Sequence, residues 1–246
     1  MLPQGLSLHY QPIISATSGR LVAVEALLRE HDERVAPLRM LSDAVHAGES
    51  EQLDRAVIEH ACEELATWHD RGLHVPVHVN VSAATAMSTN AVRFARWLTG
   101  LTVNHSSVTI EVTETTRIRG VGGLVAFVEA CHAAGFEVAI DDFGCGYSTL
   151  RLLQRFRADV VKIDRRFVTP LPDDVWTRSI VRHMIALAHD LGMRVIGEGV
   201  ETPEQAAWLL RLDCDELQGY AIAHPMSGDE LVLWAAAHQT ADRAVG

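Results

Sequence analysis

One repeated unit constrains this chain more than any other feature: a short apolar run ends in a polar residue and gives way to a helical stripe. Residues 75–81, 108–112, 136–140, 159–163 and 194–196 read as strands, the first by its alternation of Val77, Val79 and Val81 with His78, Asn80 and Ser82. Between them, Leu53, Val57, Ala61, Leu65 and Trp68 recur at helical spacing, as do Leu124, Phe127, Val128 and Cys131, and then Trp176, Ile180, Val181, Met184, Ile185, Ala188 and Leu191. Gly72, Gly135 and Gly192 stand where those helices should stop. Residues 6–14 and 21–28 form two earlier strands, with Pro12 expected at a strand edge or end. Shorter helices are expected over 92–98 and 150–156. Thr202, Pro203 and Gln205 read as N-cap, first-turn proline and capping-box partner of a helix reaching about residue 212. A last helix is expected over 229–238, with a frayed tail from about residue 239.

Sustained strand–helix alternation without a linker-like break predicts βαβ units and a parallel sheet. Roughly eight strands in a chain of this length suit a single-domain TIM-type (β/α)8 barrel over residues 1–246 better than an open sheet. The polar residues strengthen that expectation. Asn80, Glu111, Asp141, Lys162 and Glu198 each sit at or near the C-terminal end of a different strand, and in a barrel those ends converge on the active-site face. Any one of them alone reads as a satisfied buried polar group. Glu25, inside the run Leu21-Val22-Ala23-Val24-Glu25-Ala26-Leu27-Leu28, needs a partner, and Arg29 is one option.

Composition narrows the chemistry. The formal net charge of −11 argues against electrostatic capture of polymeric nucleic acid, while leaving room for a small anionic ligand bridged by cations. Cys62, Cys131, Cys145 and Cys214 are scattered and form no C-x-x-C pair, so a reducing, cytoplasmic setting is expected. Residues 1–10 carry no signal-peptide pattern, and no apolar run is long enough to span a membrane. There is no Walker motif and no G-x-G-x-x-G after a strand.

Carboxylates and an amide oxygen are hard ligands, suited to magnesium or manganese rather than zinc. The adjacent pair Asp141-Asp142, just past an apolar run and before Phe143-Gly144, repels itself unless a cation or a proton intervenes. Such a pair can hold two metal ions about 3.5–4 Å apart, an arrangement that serves phosphoryl hydrolysis. Lys162 would add positive charge for a phosphoryl transition state.

These residues, taken in order, resemble the EAL domains, phosphodiesterases that hydrolyse cyclic di-GMP to linear pGpG. The resemblance runs from Tyr10-Gln11-Pro12-Ile13 through Glu25-Ala26-Leu27-Leu28-Arg29, Asn80-Val81-Ser82, Glu111-Val112-Thr113-Glu114, Asp141-Asp142-Phe143-Gly144, Lys162-Ile163-Asp164 and Glu198-Gly199-Val200-Glu201-Thr202 to Gln218-Gly219-Tyr220 and Pro225. It implies an antiparallel first strand. It implies that Glu25, Asn80, Glu111 and Asp141 hold a first metal ion, Mg²⁺ or Mn²⁺, and that Asp141 bridges to a second beside Asp142 and Asp164. Calcium would inhibit. Glu198 and Lys162 would act on the attacking water. Gln11 and Arg29 would contact cyclic di-GMP, with Gln218 and Glu201 supporting the substrate and the acid–base network, and Glu114 would anchor the loop after the Asp pair. The family also implies a homodimer built around the helix that follows Lys162-Ile163-Asp164.

The chain departs from the family pattern in a few places. Cys145 stands where the family usually has Thr, and Gly197 where it has Ala. Ala44-Val45 replaces a usual Ala-Glu, and residues 30–38 form a shorter loop than typical. These changes touch substrate fit and dimer geometry more than chemistry. An active phosphodiesterase is the leading expectation, as a stand-alone domain or a piece of a larger sensor. A non-catalytic cyclic di-GMP receptor or interaction module is the alternative, disfavoured by the intact ligand positions. An unrelated metal-dependent barrel lyase or hydrolase is a distant third.

Overall fold

The computed structural model describes residues 2–30, 49–113, 121–145, 153–154 and 157–245. Glu114, the Ala44-Val45 pair, residues 31–38 and most of the expected helix over 150–156 lie outside the described residues. Eight strands close into one barrel in chain order: β1 (Leu6–Ser15), β2 (Leu21–Glu30), β3 (Val77–Val81), β4 (Val108–Thr113), β5 (Glu137–Phe143), β6 (Val160–Ile163), β7 (Arg194–Gly197) and β8 (Glu216–Gln218). β1 runs antiparallel to both β2 and β8, and every other neighbouring pair is parallel.

Three details differ from the sequence expectation, one being that the last helix, expected to end near residue 238 before a frayed tail, runs on to Val245. Pro12 lies in the middle of β1, opposite Val24. Val24 turns its N–H to Pro76 of the next strand, and β8 pairs with β1 only from Ile13 onward, so no ladder bond is asked of the missing proline donor. The strand expected over 136–140 takes in the Asp pair expected just past it. β5 runs on through Asp141 and Asp142, and its register with β6 shifts between Ile140 and Phe143. Asp142 takes a positive φ of 54° there, which turns it out of the regular pleat.

The period of two along each strand sorts the side chains. Outward residues such as Val77, Val79, Val81, Val138, Ile140, Val161 and Ile163 are buried under the surrounding helices. Those helices include α1 (Ser50–Asp70), α2 (Val121–Ala133), α3 (Val175–Asp190), α4 (Pro203–Arg211) and α5 (Gly228–Val245). Ile13, Ala23, Ala139, Val160 and Ile196 make a separate small apolar cluster inside the barrel. Moving two residues along each of those strands reaches the polar residues: Gln11 and Glu25 on the antiparallel start, then Asp141, Lys162 and Glu198. The barrel is therefore filled below and polar above, as closed barrels of this type are.

Local signals behave as read. Thr202 and Gln205 form a reciprocal capping box at the start of α4, with Pro203 in the first turn. α3 buries Val181, Ile185 and Ala188 but leaves Trp176, Ile180 and Leu191 exposed, so only part of its apolar stripe serves the barrel. His132 and His189 each pair with an aspartate, Asp159 or Asp215, whose same oxygen accepts the N–H of Val138 or Val195. These two repeats pin helix ends to the strands they feed. Among the described residues, no helix is long and apolar enough to cross a membrane.

Candidate active site

Lys162 organises the upper layer. It is wholly buried, and its Nζ lies 2.8 Å from Glu198 Oε1, 2.9 Å from Glu111 Oε2, 3.1 Å from Glu25 Oε2 and 3.4 Å from Asp141 Oδ1. A buried ammonium is disfavoured by desolvation, yet the four surrounding carboxylates hold the Lys162 pKa well above its ordinary value. Glu25 is tied down further: Asn80 Nδ2 donates to its Oε1 at 2.9 Å and Gln218 Nε2 to its Oε2 at 2.7 Å. Burial pushes the Glu25 pKa up, but Lys162 and these donors outweigh burial and hold it low. Glu111 and Glu198 go the other way. Burial outweighs the pull of Lys162 and raises both. One ammonium cannot neutralise four carboxylates, two of them buried and two partly buried, so the site favours an added proton or an added cation.

A second acidic step lies at the rim. Burial, a hydrogen bond with Asp164 and the charge of Asp141 push the Asp142 pKa up to about 6. Burial also works against ionised Asp164, but Arg166 donates to it through both backbone N–H and side chain and holds it low. Asp141, Asp142 and Glu198 each offer a carboxylate oxygen within 4.8 Å of the others, a set that could hold a metal ion. Two buried acceptors support that fit. Asp141 Oδ1 and Gln218 Oε1 have no hydrogen-bond partner among the described residues, and a cation would satisfy such oxygens. All of these donors are hard oxygens, as magnesium or manganese prefers.

The cleft above this layer, of about 260 Å³, is lined by Gln11, Glu25, Asp142, Asp164, Glu198, Glu201 and Gln218 among the residues singled out from the sequence. Gln11 receives a hydrogen bond from Gln218 and donates to the Ala223 carbonyl, which fixes its amide at the cleft edge. Arg29 does not pair with Glu25 as one reading of the sequence had it; its guanidinium donates to the Leu28 carbonyl at 2.9 Å. Glu198 follows Gly197 because the next layer is tight: a Cβ at Gly197 would stand 2.8 Å from Leu209 Cδ1. Gly199, at φ 65°, lies against Arg165 in the same way.

Sequence reasoning gave no role to several participants. Arg165 and Tyr220 line the cleft, and Tyr220 stacks its ring 4.1 Å from His224. His78 lies two residues before Asn80, buried, with Nδ1 2.8 Å from Glu111 Oε1. Its place on the Asn80 side of the alternating β3 pattern was the available signal. Asp54 of α1, also buried, accepts hydrogen bonds from Ser82 Oγ at 2.7 Å and from the Ser82 N–H, just past Asn80. No spacing rule links Asp54 to Ser82.

The profile of the EAL domain family matches residues 3–225. The chain is 37% identical over 235 residues to the Pseudomonas aeruginosa bifunctional diguanylate cyclase/cyclic di-GMP phosphodiesterase MucR, which covers 92% of this chain and 34% of that protein. It is 34% identical over 233 residues to the Escherichia coli cyclic di-GMP phosphodiesterase PdeR, covering 93% and 35%. The chain thus spans about a third of the length of these relatives. Among solved structures it superposes on the PaMucR phosphodiesterase in complex with c-di-GMP with a TM-score of 0.85 at 36% identity, over 93% of this chain and 94% of that one. The EAL domain of Mycobacterium smegmatis DcpA gives a TM-score of 0.80 at 32% identity, over 97% and 99%.

Proposed function

Because the chain belongs to the EAL domain family, we propose that it is a cytoplasmic phosphodiesterase that hydrolyses cyclic di-GMP to linear pGpG and needs Mg²⁺ or Mn²⁺. The observation that carries this reading is the single buried ammonium of Lys162 among Glu25, Glu111, Asp141 and Glu198, beside the Asp141–Asp142–Glu198 cluster. That layer has more negative charge than its own cation balances, which suits divalent cations and, through them, a phosphodiester anion.

On this reading Glu25, Asn80, Glu111 and Asp141 would hold one ion, and Asp141, Asp142 and Asp164 would hold a second. A bound divalent cation supplies positive charge to the scissile phosphate and makes nearby water more acidic. The chain's own residues do the rest. Glu198, paired with Lys162, takes the proton of the attacking water. The water oxygen bonds to phosphorus, the P–O3′ bond breaks, and the leaving 3′ oxygen gains a proton, opening the ring to a 5′-phosphate and a 3′-hydroxyl. Gln11, Arg29, Gln218 and Glu201 orient the substrate in the cleft. Incubating purified protein with cyclic di-GMP and Mg²⁺ or Mn²⁺ tests the proposal by chromatography. Appearance of pGpG supports it, whereas tight binding without hydrolysis would make the chain a receptor.

The reading extends to a homodimer. An apolar groove of about 480 Å³ runs along α3, lined by Phe143, Phe167, Ile180, Met184 and Leu187, and Trp176 beside it is 81% exposed. Exposed apolar surface of this kind marks interaction faces. Phe143 directly follows the Asp pair, so a partner seated here would touch the site. Light scattering at micromolar concentration decides between dimer and monomer.

A further inference from the structure

We propose that His78 is a positioning residue: it holds Glu111 in the one orientation from which that carboxylate engages a divalent cation. The inference rests on the reading above, in which Glu111 is a metal ligand. Glu111 is wholly buried, and its two oxygens are held by different groups. Oε2 faces Lys162 at 2.9 Å, and Oε1 faces His78 Nδ1 at 2.8 Å. Lys162 is shared among four carboxylates and cannot by itself choose a rotamer for any of them. The terminal torsion of a glutamate is broad and nearly two-fold, so one shared ammonium leaves the carboxylate plane free to turn. The His78 contact removes that freedom.

The imidazole is itself fixed. His78 is 2% exposed and sits in β3 with Glu25 across the ladder on one side and Thr109 on the other. A carboxylate that binds a cation is ionised and only accepts hydrogen bonds, so in the cation-bound state Nδ1 would carry the proton and donate to Oε1. Lone-pair capacity on Oε2, beside Lys162, is thereby kept for a cation. Groups that hydrogen-bond a ligating side chain in this way commonly contribute 10- to 100-fold in metal affinity.

The test is Mn²⁺ binding by calorimetry and by electron paramagnetic resonance, with the unfolding temperature of each metal-free variant measured in parallel. In H78N the amide nitrogen takes the place of Nδ1 and keeps the donor. In H78Q it falls near the place of Nε2 and the donor to Oε1 is lost, and H78L has no donor at all. We expect H78L and H78Q to bind Mn²⁺ roughly 10- to 100-fold more weakly, and H78N to stay close to the unsubstituted protein. H78L affinity equal to the unsubstituted protein would overturn the proposal. So would an H78N variant as weak as H78Q, since packing rather than the hydrogen bond would then matter. If H78L does not fold, the comparison of H78N with H78Q decides alone. If the unsubstituted protein binds no Mn²⁺, the metal reading fails and this inference with it, a result distinct from equal binding across the variants.

Discussion

Lys162 Nζ sits 2.8 Å from Glu198 Oε1 with no solvent exposure of the lysine, so the proposed base and the only ammonium of the layer form one unit, fully buried at its lysine end. Removing one partner from such a unit leaves uncompensated charge and costs about 3–5 kcal/mol. Lys162→Met should therefore lower stability by about that much at neutral pH. The pH dependence follows from the carboxylates. Glu111 and Glu198 are already raised by burial against the pull of Lys162, and without Lys162 they bind protons more tightly in the folded than in the unfolded state. The variant should gain stability as pH falls toward the ordinary carboxylate range. Thermal unfolding from pH 8 to pH 5 checks this, and a flat profile would show that the layer does not hold charge as described.

Divalent cations should substitute for missing positive charge. Asp141 Oδ1 is buried without a hydrogen-bond partner, and Asp142 and Asp164 lie close enough to share a proton. Mn²⁺ at about 100 times its dissociation constant should stabilise the fold by about 2.7 kcal/mol. Chelator should abolish pGpG formation, and Ca²⁺, with its looser coordination, should inhibit. Hydrolysis unaffected by excess EDTA would refute the metal requirement.

Glu198 separates binding from chemistry. Glu198→Gln keeps size and hydrogen bonding but loses the charge that faces Lys162. Positioned acid–base groups contribute roughly 10²–10⁴-fold, and kcat should fall by that factor. Cyclic di-GMP should still bind with Ca²⁺ present, because Gln11, Arg29 and the other acidic residues remain. Single-turnover hydrolysis and calorimetry give the two readings. Near-normal turnover would make Glu198 a turn residue, and loss of binding would make it part of the metal assembly.

What the sequence reveals about this site follows from the period of two. Asp141, Lys162 and Glu198 end apolar runs, and strand ends of a parallel barrel meet at one face, so their convergence is readable before any coordinates. The antiparallel β1 follows from the EAL resemblance and from nothing in its residue pattern. The extension of β5 through Asp142 was not readable, because a positive φ at a non-glycine residue leaves no mark in composition. The contacts of His78 and Asp54 were hidden for another reason. Each acts through a second residue, Glu111 or Ser82, and contacts between elements 28 or 33 residues apart obey no local spacing. Arg29 shows the reverse: its spacing from Glu25 suggested a pair, but four positions along a strand span about 13 Å, and Lys162 takes that carboxylate instead.

Asp54 gives a pH dependence that can be assigned to one group. It is 5% exposed, and burial, opposed by the Ser82 and Thr85 hydrogen bonds, raises its pKa from 3.8 to about 6. The folded state thus binds this proton more tightly than the unfolded state. Above pH 6 the ionised carboxylate is held in a site that disfavours it, at a cost of about 3 kcal/mol for a shift of this size. That cost diminishes as pH falls through 6 and is gone below 3.8, so Asp54 makes the protein relatively more stable across this window as acid is added. Asp54→Asn imitates the protonated form and removes the titration. Whatever constant offset the amide brings, the stability of Asp54→Asn relative to the unsubstituted protein should be greatest above pH 6 and smaller by about 2 kcal/mol near pH 4. Urea unfolding of both proteins at pH 7, 6, 5 and 4 measures the difference. A difference constant across that series would show that Asp54 titrates at its ordinary value, and that its bond to Ser82 stabilises the ionised form.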